Sequence, residues 1–142
     1  MKHDDSWMRK GLKVRTEVLG EKHVAASLTD SNPYARELAE FTTRVAWGMV
    51  WSRPGLSRKA RSFLNLGALI ALGQTHELRL HMRAALRNGV TRKEMAEAVL
   101  HCAIYAGFPR AAEARRAMCE VFGELDSGKE SKGSGKMARR RR

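Results

Sequence analysis

Cysteine is scarce in this chain: there are two, Cys102 and Cys119, among 142 residues. They stand far apart, form no C-x-x-C and have no metal-type cluster beside them, so a zinc site and a dithiol redox centre both lack their residues. Two buried, reduced thiols are the expectation, since free cysteine behaves as a small hydrophobe. Long apolar runs are missing too. The longest, Phe63 to Leu72, contains Asn65 and reaches about half of the roughly 20 residues that cross a bilayer, so no membrane span is expected. The start, M-K-H-D-D-S-W, is polar and acidic where a secretory signal is basic and then apolar. The expected compartment is therefore the cytoplasm. There is no glycine-rich phosphate loop, serine nucleophile elbow or metal-ligating motif, and no strand alternation, internal repeat or second domain.

What is present is a chain of single-domain length with 43% hydrophobic and 30% charged residues, enough for one real core. Its formal charge is +12. Seven basic residues against two acidic ones from Asp126 onward supply +5 of that, which leaves a body that is itself basic. A basic body suits phosphates and anionic small molecules alike, so charge leaves both nucleic acid and a carboxylated ligand open.

The periodicity is helical throughout. Asp5 to Leu19 reads as a first helix stopped by Gly20, followed by a short polar connection through His23 and Ser27. Asn32-Pro33 then caps and opens a helix to about Val50, with Leu38, Phe41, Val45 and Gly48 or Met49 on its expected core face. Ser52-Arg53-Pro54-Gly55 is a turn. Ser57 caps the next helix, which runs to Leu72 and whose second half is apolar nearly all round, as in a helix buried on most sides. Helices over about Thr75 to Arg87 and Arg92 to Ala106 follow, separated by Asn88-Gly89 and the Thr91/Glu94 capping box. Gly107 and Pro109 close the latter, and Ala111 to about Leu125 forms the last helix. Residues 126–142 have no apolar face and are expected to be disordered. The fold class is all-α, about six helices over 1–125 with a basic tail.

Two constellations carry chemistry. Glu77 and His81 are four apart, so both lie on one helical face at the border between apolar stripe and polar space, where an imidazole oriented by a carboxylate can exchange a proton near neutral pH. Arg44, Trp47 and Trp51 lie together at steps of three and four, and an arginine between two indoles can hold an anion in a partly dry pocket. Each also has a plain reading: an ordinary i,i+4 helix contact, and a core edge with a snorkelling arginine. These residues alone leave both open.

The run T-R-V-A-W-G-M-V-W-S-R-P-G-L-S-R-K-A-R-S from Thr43 to Ser62, followed by H-E-L-R-L-H-M-R-A-A and I-Y-A-G-F-P-R-A-A, resembles the carboxymuconolactone decarboxylase family. The likeness extends from about Trp7 to Leu125, and W-G-x-x-W-x-R-P-G-L is its most specific part. The AhpD-like hydroperoxidases of the wider family use C-x-x-C with a histidine four residues after the second cysteine. Counted back from His81, those two cysteine positions hold Gln74 and Glu77, and Ser62 stands where the redox branch commonly has a glutamate. No thiolate forms at any of the three, so that peroxide chemistry is not available.

The resemblance implies an AhpD-like helical bundle that decarboxylates 4-carboxymuconolactone to 3-oxoadipate enol-lactone and CO2 in protocatechuate catabolism, the β-ketoadipate pathway. The substrate is a butenolide dianion that accepts its own electrons at the lactone carbonyl, so no cofactor and no metal is implied. Arg44, Arg53 and Arg61 are then the expected carboxylate ligands, with Trp47, Trp51 and Tyr105 excluding water. His81, oriented by Glu77, is the proton donor or enolate stabiliser. The family also implies a homo-oligomer, with a hexamer expected. A decarboxylase or isomerase of a related lactone is the nearer rival, and a basic nucleic-acid-binding protein the rival of another class.

Overall fold

The computed structural model describes residues 5–137, and for 129–137 the backbone alone. Among the described residues every regular element is helical. The order is α1 (Ser6–Leu19), α2 (Glu21–Leu28), α3 (Pro33–Thr42), a π-helix (Thr43–Trp51), α4 (Arg58–Leu72), α5 (Thr75–Arg87), α6 (Arg92–Ala106) and α7 (Phe108–Met137).

The local chemistry explains most of the boundaries. The Asp5 carboxylate accepts from Met8 N–H at 2.9 Å and caps α1. Asn32 Oδ1 does the same for α3, accepting from Tyr34 N–H at 3.0 Å with Pro33 in the first turn. Ser57 Oγ takes Ala60 N–H at 3.1 Å at the head of α4. Gly20 differs from a simple stop. Its φ of 92° lets the chain leave α1 and start α2 at once, its N–H donating to Thr16 O while its carbonyl accepts from Val24 N–H. The segment expected to be a polar connection is therefore a helix of 8 residues anchored by buried Val24. Arg87 reaches the same corner, donating to the carbonyls of Val18 and Leu19 that end α1.

Three further expectations are corrected. Pro109 does not close α6; it sits in the first turn of α7, where its missing N–H has no helical partner to lose. The face of α3 expected inside is outside. Leu38 is 66% and Phe41 59% exposed, whereas Ala39, Thr43 and Trp47 are buried. A stripe of large apolar residues reads as core by periodicity, but here the small residues allow the close approach. Likewise α4 buries Leu66 and Ile70 on one side only, leaving Leu64 and Leu72 exposed. The α7 helix runs to Met137, and Asp126 on it is gripped by both terminal nitrogens of Arg92, at 2.7 and 3.0 Å. Residues 138–142 lie outside the described residues.

Among the described residues the chain groups into two compact units: 5–65 with Arg83–Thr91, and Leu66–Met82 with 92–137. In the first, α1 lies across the π-helix so closely that a Cβ on Gly11 would collide with Thr43 O, and one on Gly48 with Trp7 O. Val18 and Val24, with Val14 and Leu19, fill its interior beside Trp47. In the second, Met95, Val99 and Ala103 of α6 meet the Ala111, Ala114, Ala117 and Val121 stripe of α7, and Leu66, Ile70, Leu78 and Met82 are also fully buried. Each large side chain so buried contributes about 1.5–3 kcal/mol. Arg79 joins α5 to α7 through Glu120 at 2.6 Å.

Candidate active site

The most unusual local structure in the first unit is the π-helix Thr43–Trp51, carrying T-R-V-A-W-G-M-V-W. Helices with i→i+5 bonds are rare, usually a single turn, and frequent at functional sites. Here the wider spiral brings residues four apart nearly into register. Trp47 and Trp51 stack with ring centroids 4.8 Å apart and planes tilted by 30°. Trp47 is buried and Trp51 half-buried, so the pair forms a wall with one open edge. Ser52 Oγ donates to Gly48 O and ends the helix, and Arg53 N–H donates to Val50 O at 3.1 Å, turning the chain toward α4.

The three arginines expected to hold carboxylates are in different electrostatic states. Arg44 is already matched: its Nε and a terminal nitrogen both lie 2.6 Å from Asp5 Oδ2. This contact, with the Met8 N–H on the other oxygen, holds the Asp5 carboxyl below its usual range, and Asp5 in turn strengthens the hold of Arg44 on its proton. Arg61 instead donates to the Arg53 carbonyl at 3.1 Å, and its Nε is buried without a partner. Among the described residues neither Arg53 nor Arg61 is paired with a carboxylate, whereas their neighbour Arg58 is bound to Glu17. Guanidiniums not paired with a protein carboxylate are able to bind one from a ligand through paired hydrogen bonds.

Beside them Ser62 is buried and accepts a hydrogen bond from Asn88 Nδ2 at 2.9 Å. The position that carries glutamate in the redox relatives is thus a neutral hydroxyl held by an amide.

Glu77, His81 and Tyr105 belong to the second unit. Their spacing puts Glu77 and His81 on one face of α5, where His81 is half-buried and Glu77 exposed. Tyr105 does not wall a pocket within this chain: it is 79% exposed, with its ring 4.9 Å from that of His101. The thiols are not both buried, for Cys119 is exposed; Cys102 is half-buried, and burial pushes its thiol up, away from the reactive thiolate. Among the described residues no group of three or more His, Cys, Asp or Glu side chains stands close enough to hold a metal ion.

Sequence reasoning missed Asp5, Arg15 and Thr43. Arg15 of α1 is 6% exposed, donates to Thr43 Oγ1 at 2.8 Å, and pairs with no carboxylate among the described residues, so burial loosens its hold on its proton. The available signal was the pair of glycines, Gly11 and Gly48, inside otherwise helical runs. A glycine inside a helix permits close backbone approach, and the side chains flanking these two lie at the crossing.

A model of the Carboxymuconolactone decarboxylase family matches residues 36–120. The chain is 49% identical over 123 residues to 4-carboxymuconolactone decarboxylase of Acinetobacter baylyi, covering 87% of this chain and 92% of that protein. It is also 50% identical over 105 residues to nitrosuccinic acid decarboxylase npaB of Metarhizium robertsii, covering 74% and 73% of the two chains.

Proposed function

The chain belongs to the carboxymuconolactone decarboxylase family, and from that premise we propose that it converts 4-carboxymuconolactone to 3-oxoadipate enol-lactone and CO2, without a cofactor, in the β-ketoadipate pathway of the cytoplasm. The observation that carries this reading is the 49% identity to the decarboxylase of that name over nearly its whole length. The state of the arginines supports it.

Arg53 and Arg61 grip the two carboxylates of the lactone, and Trp47 and Trp51 exclude water from the ring. As the bond to the γ-carboxylate breaks, its electrons pass through the ring alkene to the lactone carbonyl, giving an enolate whose oxygen carries the developing charge. Desolvation of the departing carboxylate and stabilisation of that oxygen both lower the barrier, and one preorganised donor is typically worth about 10²–10³ in rate. His81 then delivers a proton to the α-carbon, a step that contributes about 10²–10⁴-fold. Glu77 orients the imidazole from its exposed position, and Tyr105 completes the enclosure when another subunit covers it.

A second reading has its own observation, the 50% identity to nitrosuccinic acid decarboxylase. Nitrosuccinic acid is also a dicarboxylate, and its nitro group can take the electron pair as a lactone carbonyl does. The chemistry asked of the protein is the same, and only the acceptor differs. Purified protein should turn over 4-carboxymuconolactone faster than nitrosuccinate, with His81→Ala lowering kcat by about 10²-fold or more and Glu77→Gln by less. Near-parental rates in a folded His81→Ala variant remove His81 from the mechanism.

We propose further that the protein is a homo-oligomer, a hexamer by family expectation. Tyr34, Leu38 and Phe41 leave one face of α3 apolar and exposed. On the second unit Leu100 and Phe108 border an apolar cavity of about 460 Å³ between α6 and α7, and Ile104 stands 73% exposed nearby. Patches of this kind mark contact surfaces.

A further inference from the structure

Arg15 has no part in the chemistry above, yet its burial is costly. A guanidinium removed from water without a carboxylate, and with its Nε lacking any partner, is destabilising unless its remaining bonds do something an apolar side chain would not. Those bonds converge on one point. A terminal nitrogen of Arg15 donates to Thr43 Oγ1 at 2.8 Å and lies 3.4 Å from Ala39 O, while Thr43 Oγ1 donates to the same Ala39 O at 2.7 Å. Thr43 N–H is shared between the carbonyls of Ala39 and Glu40. This is the turn where α3 ends and the π-helix begins.

Changing from i→i+4 to i→i+5 bonds shifts the ladder by one residue, and since π-turns are rare, side-chain bonds made at that point help to hold the change in place. Arg15 supplies one from α1, fixed to the same crossing by Gly11, whose Cα faces the Thr43 carbonyl. The neighbouring Arg44, then Trp47 and Trp51, take their directions from this junction.

We propose that Arg15 is a positioning residue: acting through Thr43, it locks the α-to-π junction and thereby sets the placement of the Trp47–Trp51 wall for the decarboxylation proposed above. The catalytic half of this inference rests on that reading. The structural half does not.

The test compares Arg15→Met, Thr43→Val and Thr43→Ser with the parent full-length protein. Two indoles at 4.8 Å give an exciton couplet in circular dichroism, and Trp51→Phe identifies its contribution. Arg15→Met and Thr43→Val are expected to remain folded, lose at least about half of the couplet and lower kcat by about 10- to 100-fold with a smaller change in KM, the scale that a displacement of about 1 Å produces. Thr43→Ser, which keeps the hydroxyl, restores both. If Arg15→Met does not fold, the Thr43 pair decides. A parental couplet in folded Thr43→Val overturns the inference whatever the rates. A lost couplet in a protein whose parent never turns over the lactone leaves the positioning role standing and removes the proposed function.

Discussion

Arg44, Arg53 and Arg61 look equivalent along the chain, and their differences appear only when partners 39 residues away are placed beside them. Asp5 pairs with Arg44, and in the mechanism proposed above the substrate's charge falls on Arg53 and Arg61. Arg53→Ala and Arg61→Ala should each raise KM by about tenfold or more, through loss of charge-assisted hydrogen bonds. Arg44→Ala should act mainly on stability, which substrate-saturation curves run beside thermal melts will separate. The Asp5 contact also has a pH signature. Its carboxyl is held below the ordinary value near 3.8, so its stabilising contribution is complete above that value and is lost as pH falls through the lower, folded one. Melting temperature followed on acidification should show this loss in the parent and not in Asp5→Asn. The sequence did display the Glu77–His81 spacing and the tryptophan–arginine segment, because these are local. It could not display Asp5–Arg44 or Arg15–Thr43, because nothing in a helical period says which charge a distant helix will meet.

Element ends were legible wherever one side chain decides them: Asp5, Asn32-Pro33, Ser57, Gly73, Asn88-Gly89 and Gly107 all mark boundaries in the structure. Faces were less so. Periodicity puts Leu38 and Phe41 inward, but the inward face of that segment is Ala39, Thr43 and Trp47. The reason is the crossing of α1, whose backbone comes near enough to Thr43 and Gly48 to demand glycine at positions 11 and 48. The π-helix itself has no periodic signature distinct from an α-helix over nine residues. Gly11→Ala should therefore destabilise the protein by about 1–3 kcal/mol or more, as forced overpacking does. Gly67→Ala, where nothing lies within 4 Å of the added carbon, should be neutral or stabilising. Chemical denaturation of the two variants checks the contrast.

For the molecule as a whole, composition excluded a membrane helix, and among the described residues no helix is long and apolar enough to cross a bilayer. Composition could not distinguish a buried apolar face from an exposed one. The exposure of Leu38 and Phe41 is where the expected and observed cores part, and Leu100, Ile104 and Phe108 are exposed as well. Light scattering on Ile104→Glu or Phe41→Glu should give a smaller particle than the parent, and activity should fall with it if neighbouring subunits enclose the site. An unchanged mass in both variants would remove these faces from any interface.

The reaction proposed for the whole molecule is decarboxylation of a dianionic lactone with its own carbonyl as the electron acceptor. The most direct measurement follows CO2 release and lactone consumption by the purified, chelator-treated protein given 4-carboxymuconolactone alone, with nitrosuccinate in parallel. Stoichiometric CO2 from the lactone, at a kcat/KM above that for nitrosuccinate and without any addition, is the expected result. No CO2 from the lactone, or turnover of nitrosuccinate alone, contradicts it.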